Sequence, residues 1–221
     1  MDVRIILSRV DHTLLLPTSA LSDVEQVCNE ALQYRMSCVI IPPCYISRIK
    51  SSYGNSLNVG TIVGYPHGFS LPHIKMEEVR MAIFDGADEI ELCINRCDLK
   101  NRDFEMIARE IADVRAASRG HILKVILETD NLQQQEKMRI CDIISKSGAD
   151  YIKVLRSFES PEPCFDDVEM FKEHLSSDVR ISASGGIHTL ADVQSYIALG
   201  CDRVAASNAV SILRELGIIP L

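Results

Sequence analysis

The chain predicts an α/β protein of the (β/α)8 class, a TIM barrel, in one domain spanning residues 1–221. Three observations carry this. Short apolar runs rich in β-branched residues recur eight times, an amphipathic stretch follows each, and no linker is long enough to divide the chain. A doubly wound open sheet is the alternative, but it usually carries a Gly-rich turn after its first strand, and none follows Leu14.

The runs lie at 9–14, the weakest, and then at 37–41, 58–63, 88–94, 122–127, 150–154, 179–183 and 203–206. Ser22 with Glu25 three residues on reads as a capping box ahead of the apolar stripe Val24, Val27, Cys28, Ala31 and Leu32. Phe104, Ile107, Ala108 and Ile111 form a second stripe, and Thr189 with Asp192 opens a third helix before Val193 and Ile197. Gly86, Gly148 and Gly200 fall where helices should end.

With 47% hydrophobic and 24% charged residues, the chain is composed like an ordinary soluble protein that buries one substantial core. Its net charge of -8, with no basic stripe, argues against nucleic acid or an anionic membrane as partner. The eight cysteines are scattered, mostly in apolar patterns, and read as reduced core residues in a cytoplasmic protein. Cys93 and Cys97 lack a second pair or a histidine at matching spacing, so no metal site is expected. The opening apolar run is too short for a signal peptide, and no segment reaches the roughly 18 apolar residues of a membrane span. A homodimer is the expected assembly for a barrel of this size.

In a barrel the chemistry gathers at the carboxyl ends of the strands, where this chain has Asp11, Glu91, Asn95, Lys124, Glu128, Lys153, Ser182 and Ser184. Lys153 is the most telling, because a lysine in a buried strand needs a reason. The choice lies between a surface lysine where strand meets loop and an amine held for Schiff-base chemistry. Strand alternation puts Glu91, Cys93 and Asn95 on one side of their strand, Lys124, Ile126 and Glu128 on one side of the next, and Lys153 with Tyr151 and Leu155. If these sides face inward, two lysines and two carboxylates converge, either as a filling ion-pair cluster or as a tuned active site. An amine must be uncharged to add to a carbonyl, and moving a lysine from about 10.4 to about 7 takes roughly 4 to 5 kcal/mol of differential interaction. Lys153 would then add to an aldehyde or ketone, its imine would serve as electron sink without any cofactor, and Glu91 would move the proton at the adjacent carbon.

An anion site is expected beside it. Ser184, Gly185 and Gly186 follow the seventh strand, and Ser207 and Asn208 open the helix after the eighth, so free backbone N–H groups from both could meet a phosphate.

With these pieces placed, the chain resembles the deoxyribose-phosphate aldolase family, class I aldolases that reversibly cleave 2-deoxyribose 5-phosphate to glyceraldehyde 3-phosphate and acetaldehyde. The resemblance runs from the first strand to the last. It is carried by Asp11-His12-Thr13-Leu14-Leu15-Leu16-Pro17, Val63-Gly64-Tyr65-Pro66-His67-Gly68 and Gly86-Ala87-Asp88-Glu89-Ile90-Glu91 with Ile94-Asn95. Leu123-Lys124-Val125-Ile126-Leu127-Glu128-Thr129, Gly148-Ala149-Asp150-Tyr151-Ile152-Lys153 and Ala183-Ser184-Gly185-Gly186-Ile187 complete it. The resemblance implies Lys153 as the Schiff-base lysine, a proton-relay carboxylate at Glu91, a supporting lysine at Lys124, and Asp11, Thr13 and Asn95 in the substrate site. It also implies a small carbonyl substrate bearing a phosphate.

The departures fall on working positions. Leu16 stands where a lysine is usual, Glu91 replaces an aspartate, and Ser182 stands where a second catalytic lysine would supply a cation. Val154-Leu155-Arg156-Ser157 replaces a Thr-Ser-Thr-Gly run, which brings a guanidinium that either clamps phosphate or points to solvent beside Glu159 and Glu162. Ala205-Ala206-Ser207-Asn208 replaces a run richer in Gly, Thr and Ser, and Gly217-Ile218-Ile219-Pro220-Leu221 has no tyrosine tail. Arg180 either supplies the absent charge or caps the barrel bottom. Three readings stay open: the family's own aldolase, a Schiff-base aldolase, cyclase or dehydratase acting on another carbonyl compound, and a barrel that only binds.

Overall fold

The structure is a computed structural model and describes residues 2–130, 132–156, 162–208, 210–211 and 217. Ser157, Glu159 and residues 218–221, on which some of the readings above rest, lie outside the described residues. Eight strands, β1 (Val10–Thr13), β2 (Cys38–Ile40), β3 (Val59–Val63), β4 (Glu89–Cys93), β5 (Ile122–Glu128), β6 (Tyr151–Leu155), β7 (Arg180–Ser184) and β8 (Arg203–Ala206), pair in chain order. Every pairing is parallel, and β1 closes the barrel on β8. All eight expected strands are present within two residues at each end.

Nine helices are complete among the described residues: α1 (Val3–Leu7), α2 (Leu21–Tyr34), α3 (Ile46–Tyr53), α4 (Pro72–Phe84), α5 (Arg96–Lys100), α6 (Phe104–Ala117), α7 (Gln134–Ser147), α8 (Phe165–His174) and α9 (Leu190–Leu199). Their apolar stripes meet the outward strand residues. Val39, Ile41, Val59, Ile90, Leu92, Val125, Ile152 and Val204 pack with Val24, Cys28, Val79, Ile107, Ile111, Ile144 and Phe171 in one continuous core. The oily layer therefore lies between barrel and helices, which leaves the barrel interior to other residues.

Capping explains where the helices start. Thr189 and Asp192 cap α9 reciprocally, as expected, with hydrogen bonds of 3.2 and 2.8 Å to the opposite N–H groups. The start expected at Ser22 and Glu25 is corrected: α2 begins at Leu21, and Asp23 accepts the Ala20 N–H at 2.8 Å. Ser22 then sits inside the first turn, and the aspartate three residues after Ala20 does the capping. The short helices α1 and α5 were not anticipated; each is started by a side-chain cap, Asp2 for α1 and Asn95 for α5.

The two Gly-Ala-Asp runs lock the barrel bottom. Asp88 accepts the Val59 N–H at 2.8 Å and binds Lys50 at 2.9 Å; Asp150 accepts the Leu123 N–H at 2.8 Å and binds Arg115 at 2.9 Å. Each carboxylate thus ties the first residues of one strand to the start of the next, which sets the stagger between them.

The rim around β3 and β4 hangs on α4. Lys75, wholly buried, donates to the Cys93 carbonyl at 2.8 Å and to Glu110 of α6 at 2.6 Å, and the other Glu110 oxygen accepts the Asn95 N–H at 3.0 Å. Glu78 accepts the Gly64 N–H at 2.7 Å. Gly68, at φ 73°, sits so close that a Cβ there would lie 1.9 Å from the Ile94 carbonyl oxygen. Replacing Lys75 by methionine would strand Glu110 as a buried charge without its cation. K75M is expected to lose about 3–5 kcal/mol, read as a fall in the urea unfolding midpoint.

Candidate active site

Alternation along the strands sends one side chain in two into the barrel. Asp11 faces in beside Cys38, Glu89 beside Gly60, Glu91 beside Lys124, Ile126 beside Lys153, and Lys153 beside Ser182, each pair in register on neighbouring strands. A barrel interior is more often filled with branched apolar layers. Here ionised groups fill its middle.

Lys124 is the centre. Its Nζ lies 2.6 Å from Asp11 Oδ2 across the barrel and 3.6 Å from Glu91 Oε1. It also lies 2.7 Å from Glu89 Oε2, in an ion pair whose angle falls short of hydrogen-bond geometry. Arg203 comes in from β8 and binds Asp11 Oδ1 at 2.6 Å and Glu89 Oε1 at 3.3 Å. Lys153 Nζ donates to Glu91 Oε2 at 2.6 Å and is 4% exposed. Three carboxylates and three cations are thus joined, with Glu91 as the link between the central lysine and Lys153.

Tyr151 forms the floor. Arg180 lies over its ring at 4.1 Å and is exposed, while Lys124 and Arg203 approach it at 5.7 and 5.8 Å. Arg180 therefore caps the barrel bottom, and Arg203 brings the additional guanidinium inside. Sequence reasoning missed Glu89 and Arg203. The signal for Glu89 was available, since it stands two residues before Glu91 and shares its face; Arg203 heads its strand, and nothing local marks it as inward.

The charges hold one another in place. Burial alone would lower the Lys124 pKa, but Asp11, Glu89 and Glu91 outweigh it and hold the ammonium well above the ordinary lysine range. Burial would raise Asp11, yet Lys124 and Arg203 overcome it and hold the carboxyl below its usual value. Lys124 thus remains a cation beside Glu91.

Above this layer sits an apolar collar of Ile62, Cys93 and Ile126, with Leu15 and Leu155 packed against it. Burial, with Glu91 second, pushes the Cys93 thiol up to about 12, so it offers no thiolate to compete with an amine. The collar opens into a cleft of about 280 Å³ lined by Pro66, Cys93, Leu99 and Leu132 on its apolar side and by Arg96, Lys100 and Glu128 on its charged side. Glu128, the last residue of β5, keeps the face of Lys124 and Ile126 and lines the cleft at the rim, where it pairs with Arg96 at 3.0 Å. One expected inward group is corrected here. Asn95 lies past the end of β4, and its side-chain oxygen accepts the Cys97 N–H at 2.9 Å as the cap of α5.

The remaining expected residues lie around the β6, β7, β8 and β1 ends. Gly185 and Gly186 have φ of 80° and 64°, and Cβ atoms there would crowd the Arg156 backbone at 3.3 Å and the Glu162 carbonyl carbon at 2.4 Å. This turn needs glycine for both shape and space. Asn208 Nδ2 donates to the Ile187 carbonyl at 3.2 Å, which ties the two expected anion-binding segments together. Ser184 is half-buried at the end of β7, and Ser207 is exposed. The Arg156 guanidinium turns toward Asp130, with Nε 3.8 Å from its carboxylate. Thr13 donates to the Asp11 carbonyl at 3.2 Å.

A buried lysine and carboxylate are thus in contact near the carboxyl ends of the strands of a (β/α)8 barrel, the end at which enzymes of this fold carry their chemistry. The family model for DeoC/LacD family aldolases matches residues 5–216, and the chain belongs to that family, one of class I aldolases. A deoxyribose-phosphate aldolase of Clostridium botulinum is 40% identical over 209 residues, covering 95% of each chain. One from Streptococcus pyogenes is 37% identical over 215 residues, covering 97% of this chain and 96% of that one. Among solved structures, a provisionally assigned deoxyribose-phosphate aldolase from Coccidioides immitis superposes with a TM-score of 0.91 at 31% identity, covering 98% of this chain and 87% of that one. The tetrameric deoxyribose phosphate aldolase of Aeropyrum pernix gives 0.86 at 25% identity, covering 96% and 91%.

The depressed pKa of Asp11 makes its ion pairs a stabilising contribution that is present above the unfolded value, about 3.9, and lost as pH falls toward the folded one. Asp11→Asn is therefore expected to destabilise the protein by about 3–5 kcal/mol at pH 7. The difference in urea midpoint from wild type should hold above about pH 4 and narrow as the pH falls below it.

Proposed function

We propose that the chain is an aldehyde-lyase that cleaves 2-deoxyribose 5-phosphate through an imine on Lys153, with the barrel as its whole catalytic domain. The observation that carries this reading is the 2.6 Å contact between Lys153 Nζ and Glu91 Oε2, in a site closed to bulk water. Glu91 takes the proton that the ammonium must shed, and the free amine adds to the aldehyde carbon. Loss of water gives the protonated imine. Glu91, a carboxylate again once water has left, takes the proton of the hydroxyl at the third sugar carbon, the bond between the second and third carbons breaks, and its electron pair flows into the imine to give an enamine. Glyceraldehyde 3-phosphate leaves, Glu91 returns a proton to the enamine carbon, and hydrolysis frees acetaldehyde and the lysine. Lys124 stays protonated and holds Glu91 in position.

The phosphate is read as held by N–H groups of the Ser184-Gly185-Gly186 turn and the Ser207-Asn208 segment, with Arg156 beside the turn. Cytoplasmic location and self-association as a homodimer belong to the same proposal. The exposed Ile74, Met81 and Phe84 of α4 support the second. A specific observation favours a variant reading, a different carbonyl compound as substrate: the collar itself is apolar, while Arg96, Lys100 and Glu128 make the cleft beyond it partly charged.

Acetaldehyde with borohydride is expected to fix a two-carbon adduct on the Lys153 peptide, seen by mass spectrometry, and none in K153A. E91Q should cut deoxyribose 5-phosphate cleavage by about 100-fold or more, as expected for loss of a general acid–base. Trapping without any cleavage of that sugar would point to the other substrate. Absence of trapping in the wild-type protein would remove the imine reading.

A further inference from the structure

Ser182 projects from β7 into the barrel, is wholly buried, and its hydroxyl has no hydrogen-bond partner among the described residues. It stands in register with Lys153 on one side and Arg203 on the other. A buried hydroxyl without a partner is destabilising, and alanine fills the same kind of position at Ala205 of β8, the register partner of Ser184. Packing therefore gives no reason for serine here. A second orphan oxygen lies nearby in the same interior: Glu91 Oε1 has no hydrogen bond and is 3.6 Å from Lys124 Nζ. The Lys153 side chain leans away from β7 to reach Glu91 on β4, two strands distant. Ser182 is thus left facing the side of Lys153 that Glu91 does not occupy.

We propose that Ser182 is a catalytic residue of the imine-forming step, its hydroxyl donating a hydrogen bond to the oxygen that the substrate carbonyl carries into the carbinolamine. This inference rests on the proposed imine at Lys153. Lys153 gives a proton to Glu91, and its nitrogen bonds to the carbonyl carbon while the π pair moves onto oxygen. The Ser182 hydroxyl steadies that charge until the oxygen takes a proton from the new ammonium. The Glu91 carboxylic acid then protonates the hydroxyl, the carbon–oxygen bond breaks, water leaves with the bonding pair, and the nitrogen lone pair closes the imine. Glu91 ends as the carboxylate it began as.

The test is the rate of acetaldehyde trapping by borohydride on Lys153 in wild type, S182A and S182T, beside thermal unfolding of each. S182A is expected to slow trapping by about 100-fold, the low end of what loss of an oxyanion donor costs. Its unfolding midpoint should be unchanged or higher, because an unpaired polar group has been removed, and S182T should restore most of the rate. Trapping by S182A at the wild-type rate overturns the proposal, as does equal slowing in S182A and S182T. Wild-type protein that traps no more than K153A overturns the imine itself, a result distinct from either.

Discussion

The ion pairs that Lys124 makes across the barrel are the constraint on which the rest depends. One ammonium from β5 answers carboxylates from β1 and β4, and Arg203 answers the same two from β8. Buried charges are a poor source of net stability, and any one of these groups left alone would be costly. Held together they neutralise each other, and they fix Glu91 with one oxygen toward Lys124 and the other on Lys153. The chemistry proposed for Lys153 is a consequence of that arrangement, since a carboxylate free to turn toward solvent would not be in place to exchange a proton with the amine.

The layers outside the barrel serve the same end. Apolar contacts between strands and helices supply the burial, while Asp88 and Asp150 set the stagger at the bottom and Lys75 with Glu110 holds the top of β4. Lys75 grips the Cys93 carbonyl, two residues beyond Glu91 on the same strand, so the position of the carboxylate is fixed from both ends. The collar of Ile62, Cys93 and Ile126 then keeps water from the ion pairs, which strengthens every electrostatic interaction beneath it.

The departures from the aldolase family's pattern acquire a physical sense in this setting. Glu91 carries one methylene more than the aspartate usual at its place, and that length lets it touch Lys153 directly at 2.6 Å. Ser182 leaves a hydroxyl where a lysine is usual, so the interior keeps three cations against three carboxylates instead of gaining a fourth. The charge balance of the barrel and the reach of Glu91 fit together, which makes the two substitutions easier to understand as a pair than singly.

Much of this was legible in the residues alone. Period-two alternation placed Glu91, Lys124 and Lys153 on the inward faces, the recurring apolar runs set the eight strands, and the Gly-Gly turn marked the end of β7. Other parts were not. Asn95 was assigned inward because alternation was extended past the point where β4 stops, and the start of α2 was set two residues too late. Glu89 was overlooked although its face was readable. What only the tertiary structure decided was which charges meet. Lys124 and Asp11 are 113 residues apart and Arg203 and Asp11 are 192 apart, and no local pattern encodes a contact made by closing a sheet on itself. The amino-acid order by itself determined which side each strand residue faces, because the pleat repeats every two residues; barrel closure decided the partner on the far wall, because that depends on strand stagger summed around the whole circumference.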